Sequence, residues 1–265
     1  MKKTNLMPSI IVTVLLAAGL LAQTPAVTVV ATPAPVINRG NLSPTFRNLL
    51  GFMGDRLAIA GNERLTLNGT VTLSDGSKTI AIVTLELPDH LRYVQTLPQR
   101  IITYDGSTVL TSSGPPTTVD NNLVESVVLD GVERFLIGQA QGLALRFMGP
   151  HIQFVDPANS PRPTSLCELY QVSEKERFIS NVKTKQKLFC FDSHTRLIAS
   201  AFYQNPASGS STTQVETRWS AWSLSGRNQV PGLITRYENG KVVFSLAVAG
   251  SAVAAAQNDG IFNKP

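Results

Sequence analysis

The sequence predicts an α+β domain built on a curved, unclosed antiparallel β-barrel of about ten strands, covered by two or three helices. Three dipeptides that favour hairpin turns lie between runs of alternating apolar and polar residues: Asp75-Gly76, Asp105-Gly106 and Asn239-Gly240. Two further segments show apolar residues at helical spacing. Because successive hairpins make an antiparallel meander, we expect the sheet to form the body of the domain and the helices to cover it.

The N-terminus has the composition of a secretory signal peptide. Lys2 and Lys3 precede an apolar stretch over residues 8–22, which is shorter than the roughly 20 residues that span a membrane. Small residues that suit cleavage recur as far as residue 31. An uncleaved membrane anchor is the alternative interpretation, because residues 27–30 prolong the apolar character. We expect export through a cleaved signal peptide.

The rest of the chain is long enough for one domain with its own core. We predict a signal peptide at residues 1–22, with cleavage as late as residue 31, a Pro-rich spacer at 23–42 and a single domain at 43–265. The formal net charge is +5 at pH 7, and two of these charges are lysines of the leader. Because the remaining Lys and Arg residues are not clustered, we expect no nucleic-acid partner.

A first helix is predicted to begin after the spacer. Ser43 suits the N-cap, and Pro44 suits the first helical position, where a missing N–H costs nothing. Apolar residues then recur at helical spacing: Phe46, Leu49, Leu50, Met53 and Leu57.

The segment KTIAIVTLEL, residues 78–87, is predicted to be a strand that is apolar on both sides. Ile80 and Ile82 point to one side of it. The other side carries four apolar side chains: Ala81, Val83, Leu85 and Leu87. We expect such a strand to be covered by other parts of the protein on both sides.

A second helix is predicted over residues 119–137, with Thr118 or Asp120 as its cap and Gly138 at its end. Its apolar face carries Val119, Leu123, Val124, Val127, Val128, Val132, Phe135 and Leu136. Its polar face carries Asp120, Asn121, Asn122, Glu125, Ser126, Asp130, Glu133 and Arg134. Because valine is a poor helix former, this helix must be stabilised by burial against the sheet.

Strands are predicted again in the C-terminal half. In KVVFSLAV, residues 241–248, one side of the strand carries Val242, Phe244, Leu246 and Val248. A curved sheet whose concave side is filled by helices would use such faces. That concave side has two interpretations, a solid core or a cavity for a ligand. The final segment, residues 251–265, is predicted as helix or coil.

The two cysteines, Cys167 and Cys190, lie in the strand-like runs SLCELYQV and KLFCFDS. In an exported protein, an even pair predicts one structural disulfide. The alternative, a redox pair, is expected to show C-x-x-C spacing, which this pair lacks.

Side chains that carry catalysis elsewhere are scattered in this chain. His90, His151 and His194 are far apart, and His194 lies in the turn-forming segment FDSHTRL. The chain contains none of the G-x-S-x-G, G-x-x-x-x-G-K-[ST] or G-x-G-x-x-G motifs. We therefore predict that the protein is not an enzyme and holds neither a metal nor another cofactor. The rival interpretation is an enzyme whose Ser, His and Asp converge only in the fold.

The chain contains four short motifs: LPDHLRY at residues 87–93, IITYDG at 101–106, FDSHTRLI at 191–198 and IFNKP at 261–265. They resemble motifs of the LolA-like outer-membrane lipoprotein carriers. Together with the order of helices and hairpins, the resemblance covers residues 43–265. Two features depart from the family pattern, since Tyr93 stands where the family usually has Trp and the segment 143–190 is longer.

The resemblance implies an unclosed barrel in the periplasm, whose helices shield lipoprotein acyl chains. It implies a monomer that binds lipoprotein acyl chains or another lipid and that meets the lipoprotein machinery of the inner or outer membrane. Regulators of anti-sigma factors that sense lipoproteins are similar in fold. The alternative function is therefore an envelope-stress or assembly regulator that binds a protein partner.

Arg92 matches the family's arginine that follows the proline on a strand and is important for opening and closing the cavity. The alternative role for Arg92 is a surface ion pair with Glu86 or Asp89. The two-faced strands and the second helix together predict an apolar cleft beneath helices that opens to admit acyl chains. The ligand-binding residues are predicted to be Arg92, Val83, Leu85, Leu87, Val128, Phe135, Phe244 and Leu246.

Overall fold

A computed structural model describes residues 63–86, 90–131, 144–154, 164–173, 186–206, 212–225 and 228–265. All of these residues fall in one compact unit of the chain. The strands are β1 (Glu63–Leu73), β2 (Lys78–Glu86), β3 (His90–Gln95), β4 (Arg100–Asp105), β5 (Val109–Thr111), β6 (Ala144–Phe154), β7 (Thr164–Ser173), β8 (Gln186–Asp192), β9 (Ile198–Pro206), β10 (Thr212–Ser220), β11 (Ser223–Ser225), β12 (Asn228–Val230), β13 (Leu233–Glu238) and β14 (Lys241–Ala255). The predicted signal peptide, spacer and first helix lie outside the described residues.

Twelve of the strands form one antiparallel sheet in the order β5-β4-β3-β2-β1-β14-β13-β10-β9-β8-β7-β6. β5 and β6 are the two edges, so the sheet does not close on itself. The other two strands, β11 and β12, pair with each other. The predicted curved, unclosed antiparallel barrel is confirmed, with twelve strands in its sheet where about ten were predicted.

All three predicted hairpin turns are confirmed. Gly76 joins β1 to β2 and Gly106 joins β4 to β5, with φ of 79° and 89°. Asn239 and Gly240 join β13 to β14, with φ of 49° and 77°. These residue types adopt a positive φ at low cost, which is why the turns can be read from the sequence.

One side of the sheet, which we define as the inner face, carries Leu67, Val83, Tyr93, Ile234 and Leu246. The strand register aligns these side chains across neighbouring strands, with Leu67 opposite Val83 and Val83 opposite Tyr93. All five belong to a single hydrophobic core, and none is more than 2% exposed. Burial of each such side chain contributes about 1.5–3 kcal/mol to stability.

A β-bulge in β14 turns Val242 away from the inner face. Arg236 of β13 pairs with Phe244, but the next residue, Tyr237, pairs with Val242, so β14 has one extra residue between them. Phe244 and Leu246 are buried on the inner face, whereas Val242 is exposed. The prediction that these side chains share one side is therefore wrong at Val242, because a bulge shifts the alternation of side chains.

The opposite side of the sheet, the outer face, is exposed at β2. Ile80 and Ile82 lie there and are 65% and 38% exposed, while Ala81 and Val83 on the inner face are buried. The prediction that this strand is covered on both sides is therefore wrong. The register places Ile82 beside Asn68 of β1 and Val94 of β3, so its neighbours are strands in the same layer and not a second layer.

The part of the chain that the structure describes contains one α-helix, α1 (Thr118–Val124), which is followed by a π-helical turn, Glu125–Leu129. Its N-cap is Thr117 and neither of the two predicted caps, Thr118 and Asp120. The Thr117 hydroxyl accepts a hydrogen bond from the N–H of Asp120, and the Asp120 carboxylate accepts one from the N–H of Thr117. The end of the predicted helix, including Gly138, lies outside the described residues. No helix among the residues that the structure describes is both long and apolar enough to span a membrane.

Three residues of the predicted polar face of this helical segment are buried. Asp120 is 2% exposed, and Ser126 and Asp130 are completely buried. Val119, which was predicted on the apolar face, is exposed instead. The division into an apolar buried face and a polar face therefore fails at these four positions. Buried carboxylates need compensating partners, and the sheet supplies them.

The predicted disulfide between Cys167 and Cys190 is confirmed, and the described residues contain no free cysteine. It links β7 to β8, with a Cα–Cα distance of 5.5 Å. Cys190 lies between Phe189 and Phe191 in the sequence, and their rings are part of the core. The alternation of side chains therefore places the disulfide on the outer side of these strands.

Candidate ligand-binding site

Residues 118–130, which we define as the cover, lie against the inner face of the sheet. Leu123, Val124, Val127, Val128 and Leu129 of the cover are all buried in the same hydrophobic core as the sheet. The cover is short, and part of it is a π-helical turn, a conformation that is uncommon and often found at functional sites. Its position therefore depends on contacts with the sheet more than on helix propensity.

A first ionic contact holds the start of the cover to β4. The guanidinium of Arg100 donates from Nε to Oδ1 of Asp120 at 3.0 Å and forms an ion pair with the second carboxylate oxygen. Arg100 also donates from Nη1 to the Ser113 hydroxyl at 2.8 Å. The same Asp120 carboxylate accepts hydrogen bonds from the N–H and hydroxyl of Thr117. One carboxylate therefore both caps α1 and ties it to the sheet.

A second ionic contact holds the end of the cover to the opposite half of the sheet. Oδ1 of Asp130 lies 2.9 Å from Nζ of Lys187 on β8. Oδ2 of Asp130 accepts from the hydroxyls of Thr217 and Tyr203 at 2.7 and 3.3 Å, and it lies 3.7 Å from Nη1 of Arg236. We define these four sheet residues, Lys187, Tyr203, Thr217 and Arg236, as the carboxylate site.

Arg236 is completely buried and connects the carboxylate site to two further acids. It contacts Glu125 of the cover at 2.8 Å and Glu238 of its own strand at 3.0 Å, and it donates to the Tyr203 hydroxyl at 3.0 Å. Burial alone would lower the pKa of Arg236, but Tyr203 and the carboxylates of Glu125 and Asp130 raise it above its ordinary value. The guanidinium therefore stays charged in the core.

Tyr203 stays protonated in this cluster. Burial, together with the negative charges of Asp130 and Glu125, raises the pKa of the Tyr203 phenol well above its ordinary value. The Lys187 ammonium lies 4.8 Å from the centre of the Tyr203 ring, which adds a cation–π contact. The phenol is therefore a fixed hydrogen-bond donor to the carboxylates of the cover.

The inner face continues past the cover as a row of aromatic side chains. Phe147 of β6 lies 5.2 Å from Tyr170 of β7, and Tyr170 lies 5.6 Å from Phe191 of β8, measured between ring centres. Tyr170 and Phe191 are buried, but Phe147 is 47% exposed. Leu166, which the alternation of β7 places on the same side as Tyr170, is 51% exposed. The apolar inner face therefore reaches solvent at the β6 edge.

The phenols of Tyr93 and Tyr170 are expected to make the folded protein less stable at alkaline pH. Burial, helped by the charges of Asp120 and Glu168 respectively, raises the pKa of each phenol to about 12. Between about pH 10 and pH 12 the unfolded chain loses these protons while the folded protein keeps them, so the free energy of unfolding falls as pH rises. Urea unfolding at several pH values measures this fall.

The matched control replaces both phenols, as Tyr93→Phe with Tyr170→Phe. This variant is expected to lose less stability than the wild type over the same pH interval, because two of the titrating groups are gone. An identical pH dependence in both proteins would contradict the assignment. Tyrosinate absorbance of the folded protein provides an independent reading of the two pKa values.

The structure brings together five of the predicted ligand-binding residues. Val83, Val128, Phe244 and Leu246 lie in the core between the sheet and the cover, and Leu85 packs against that core. Leu87 and Phe135, which were also predicted, lie outside the described residues. A ligand-binding role for these residues stays a prediction.

Arg92 lies on the outer face, away from these five residues. It donates from Nη1 to the backbone carbonyls of Ile261 and Lys264, both at 2.9 Å. Of its two alternative partners, Glu86 is instead paired with Arg64 of β1, and Asp89 lies outside the described residues. Arg92 therefore holds the C-terminal segment against the sheet, and its predicted role in a ligand site stays a prediction.

The C-terminal segment that Arg92 holds follows β14. This strand runs to Ala255, so the first part of residues 251–265 is strand and not the predicted helix or coil. Phe262 is buried, with its ring 5.5 Å from the His90 ring and 5.4 Å from the Arg64 guanidinium. The segment therefore covers one end of the outer face of β1 to β3.

The charged residues of the cover and the carboxylate site were not identified from the sequence. A signal for two of them was present, because Arg236 alternates with Ile234 in ITRYE and Lys187 alternates with Phe189 in KLFCF. Strand alternation therefore places both cations on the inner face. Asp130 carried no such signal, since it was assigned to the polar side of a helix.

Within the described ranges, no three His, Cys, Asp or Glu side chains are grouped so that they could hold a metal ion. His194 lies in a turn, where the carboxylate of Asp192 accepts from the N–H groups of His194 and Thr195 at 2.9 and 2.6 Å. The predicted turn around FDSHTRL is therefore confirmed.

Comparison with known proteins identifies the fold. No protein-family model matches the chain. No curated protein matches its sequence. A domain described as an outer membrane lipoprotein-sorting protein, from Vibrio parahaemolyticus, is similar in structure over 82% of this chain and 95% of that domain, with 8% sequence identity and a TM-score of 0.51. A LolA superfamily protein from Nitrosomonas europaea is similar over 82% of this chain and 97% of that protein, with 12% identity and a TM-score of 0.51. The chain therefore has a LolA-like fold, as the short motifs predicted.

Proposed function

We propose that the protein is a periplasmic, non-enzymatic carrier that binds the acyl chains of a lipoprotein or another lipid between the cover and the inner face of its sheet. The observation that carries this proposal is the form of the inner face: it is apolar, it is covered by a short segment held by ion pairs, and it reaches solvent at Phe147 and Leu166. The LolA-like fold of the structural relatives supports the same class of function.

Binding would proceed by exchange of one apolar contact for another. Acyl chains that enter along the aromatic row would replace the apolar side chains of the cover, such as Val127 and Val128, on the inner face. Each CH₂ group removed from water contributes about 0.8 kcal/mol, so a long chain can offset the loss of these side-chain contacts. The ion pairs at Asp120 and Asp130 would hold the cover closed when no ligand is bound.

The test measures binding of an uncharged lipid probe to the purified protein. We expect the fluorophore N-phenylnaphthylamine to bind in the apolar site and methyl palmitate to displace it. The double variant Phe147→Gln with Leu166→Gln is expected to bind methyl palmitate about tenfold more weakly, because two partly exposed apolar contacts are lost at the entrance. Both side chains are exposed enough for the variant to fold.

The matched control is Ile80→Gln, an exposed apolar side chain on the outer face. It is expected to leave the affinity for methyl palmitate unchanged. Equal weakening by Ile80→Gln, or a wild-type protein that binds none of N-phenylnaphthylamine, methyl palmitate and the free acid palmitate, would contradict a carrier. Either result would favour the alternative function, a regulator that binds a protein through the outer face, where Ile80 and Ile82 are exposed.

A further inference from the structure

We infer that the ligand of this site carries a carboxylate, and that the carboxylate site of the sheet is its head-group site. This inference rests on the proposed function, because it names the chemical class of the lipid. The long-chain fatty acid is the simplest ligand of this class. The cover at present fills the head-group site with its own carboxylate, that of Asp130.

The geometry around Asp130 is that of a built carboxylate-binding site. Each oxygen has its own donors: Oδ1 faces the ammonium of Lys187, and Oδ2 faces the hydroxyls of Thr217 and Tyr203 and the guanidinium of Arg236. Three of these groups are within hydrogen-bond distance and Arg236 is an ion-pair partner at 3.7 Å, and the four residues come from four neighbouring strands, β8, β9, β10 and β13. A carboxylate delivered by a ligand offers the same two oxygens and the same charge.

The cover contributes two of the carboxylates that face the buried cations of the cluster. Lys187 and Arg236 are fixed on the sheet and buried, whereas Asp130 and Glu125 belong to the cover. If the cover leaves, Glu238 is the one carboxylate among these groups that stays beside the two cations. A carboxylate of the ligand would restore the negative charge that Asp130 supplies beside Lys187 in this structure, and an uncharged ligand would not.

The aromatic row leads to this site. On the inner face of β8, Lys187 comes two residues before Phe189 in the chain, and its cross-strand partner on β7 is Val172, two residues beyond Tyr170. An acyl chain lying along Tyr170 and Phe189 would therefore present its head group at the Lys187 ammonium. The tail would extend towards the exposed Phe147 at the β6 edge.

The experiment compares palmitate with methyl palmitate, which has the same chain but no charge, in displacement of N-phenylnaphthylamine from the wild-type protein. We expect palmitate to bind at least about tenfold more tightly. Equal affinities for the two ligands would overturn the carboxylate inference and leave the proposed carrier function standing. Binding of neither ligand would overturn both.

A double variant that keeps the net charge of the protein tests whether the preference for palmitate over methyl palmitate arises at the carboxylate site. The double variant Asp130→Asn with Lys187→Met removes one charge of each sign, so it avoids an unpaired buried ion. It is expected to lose the preference for palmitate over methyl palmitate. Lys241→Gln removes an exposed lysine of β14 and is expected to keep the preference. A preference that survives in the double variant, or disappears in Lys241→Gln, would overturn the inference.

Discussion

Replacing Asp130 by Asn is expected to lower the free energy of unfolding by about 3–5 kcal/mol. Asp130 is completely buried and compensates Lys187, whose ammonium is buried with it at 2.9 Å. Asn keeps the size of the side chain but removes its charge. The ammonium would then stay in the core without its carboxylate, and an amide oxygen does not offset that cost. Urea denaturation followed by tryptophan fluorescence measures the change.

Two further variants separate a lost ion pair from a general packing defect. Asp130→Asn combined with Lys187→Met is expected to recover most of the lost stability, because a buried pair replaced by neutral side chains of similar size is often close to neutral. Asp75→Asn, in the exposed turn between β1 and β2, is expected to leave the free energy of unfolding nearly unchanged. If Asp130→Asn were as mild as Asp75→Asn, the carboxylate would not hold the cover.

Loss of the disulfide is expected to lower the free energy of unfolding by about 3 kcal/mol. Cys167 and Cys190 are 23 residues apart, and both are completely buried. Their link restricts the unfolded chain, and this restriction disappears when the bond is reduced. The measurement compares denaturation of the wild-type protein with and without a thiol reductant, at one pH and temperature.

The variant Cys167→Ala with Cys190→Ala is the control for the effect of the reductant. Its stability is expected to match that of the reduced wild type to within the small difference in packing, and the reductant should not change it. Alanine is preferred to serine because both positions are completely buried, where an added hydroxyl would need a partner. A wild-type protein that unfolds at the same urea concentration with and without reductant would contradict this prediction.

The sequence by itself determined the hairpins, the sheet and the disulfide. Asp-Gly and Asn-Gly turns are local, because the residue types that accept a positive φ act within the turn itself. The alternation of Leu65, Leu67 and Val71 identifies the buried side of β1 without reference to the rest of the chain. The motifs that resemble LolA-like carriers pointed to the fold that the structural relatives share.

Local patterns were insufficient wherever a side chain's environment depended on a distant strand. The bulge in β14 exposed Val242, and Ile80 stayed exposed on the outer face although its strand is apolar on both sides. Neither result can be read from alternation, because alternation says which residues share a side and not what lies against that side. Pairing partners and covering layers are properties of the assembled sheet.

Tertiary structure alone decided the candidate site. Asp130 looked like one more residue on the solvated side of a helix, yet it is buried because Lys187, 57 residues later in the sequence, and Arg236 meet it across the inner face. A charge is tolerated in a core only when opposite charges and hydrogen-bond donors surround it. Those partners come from strands that are far apart in sequence, so only the folded sheet brings them together.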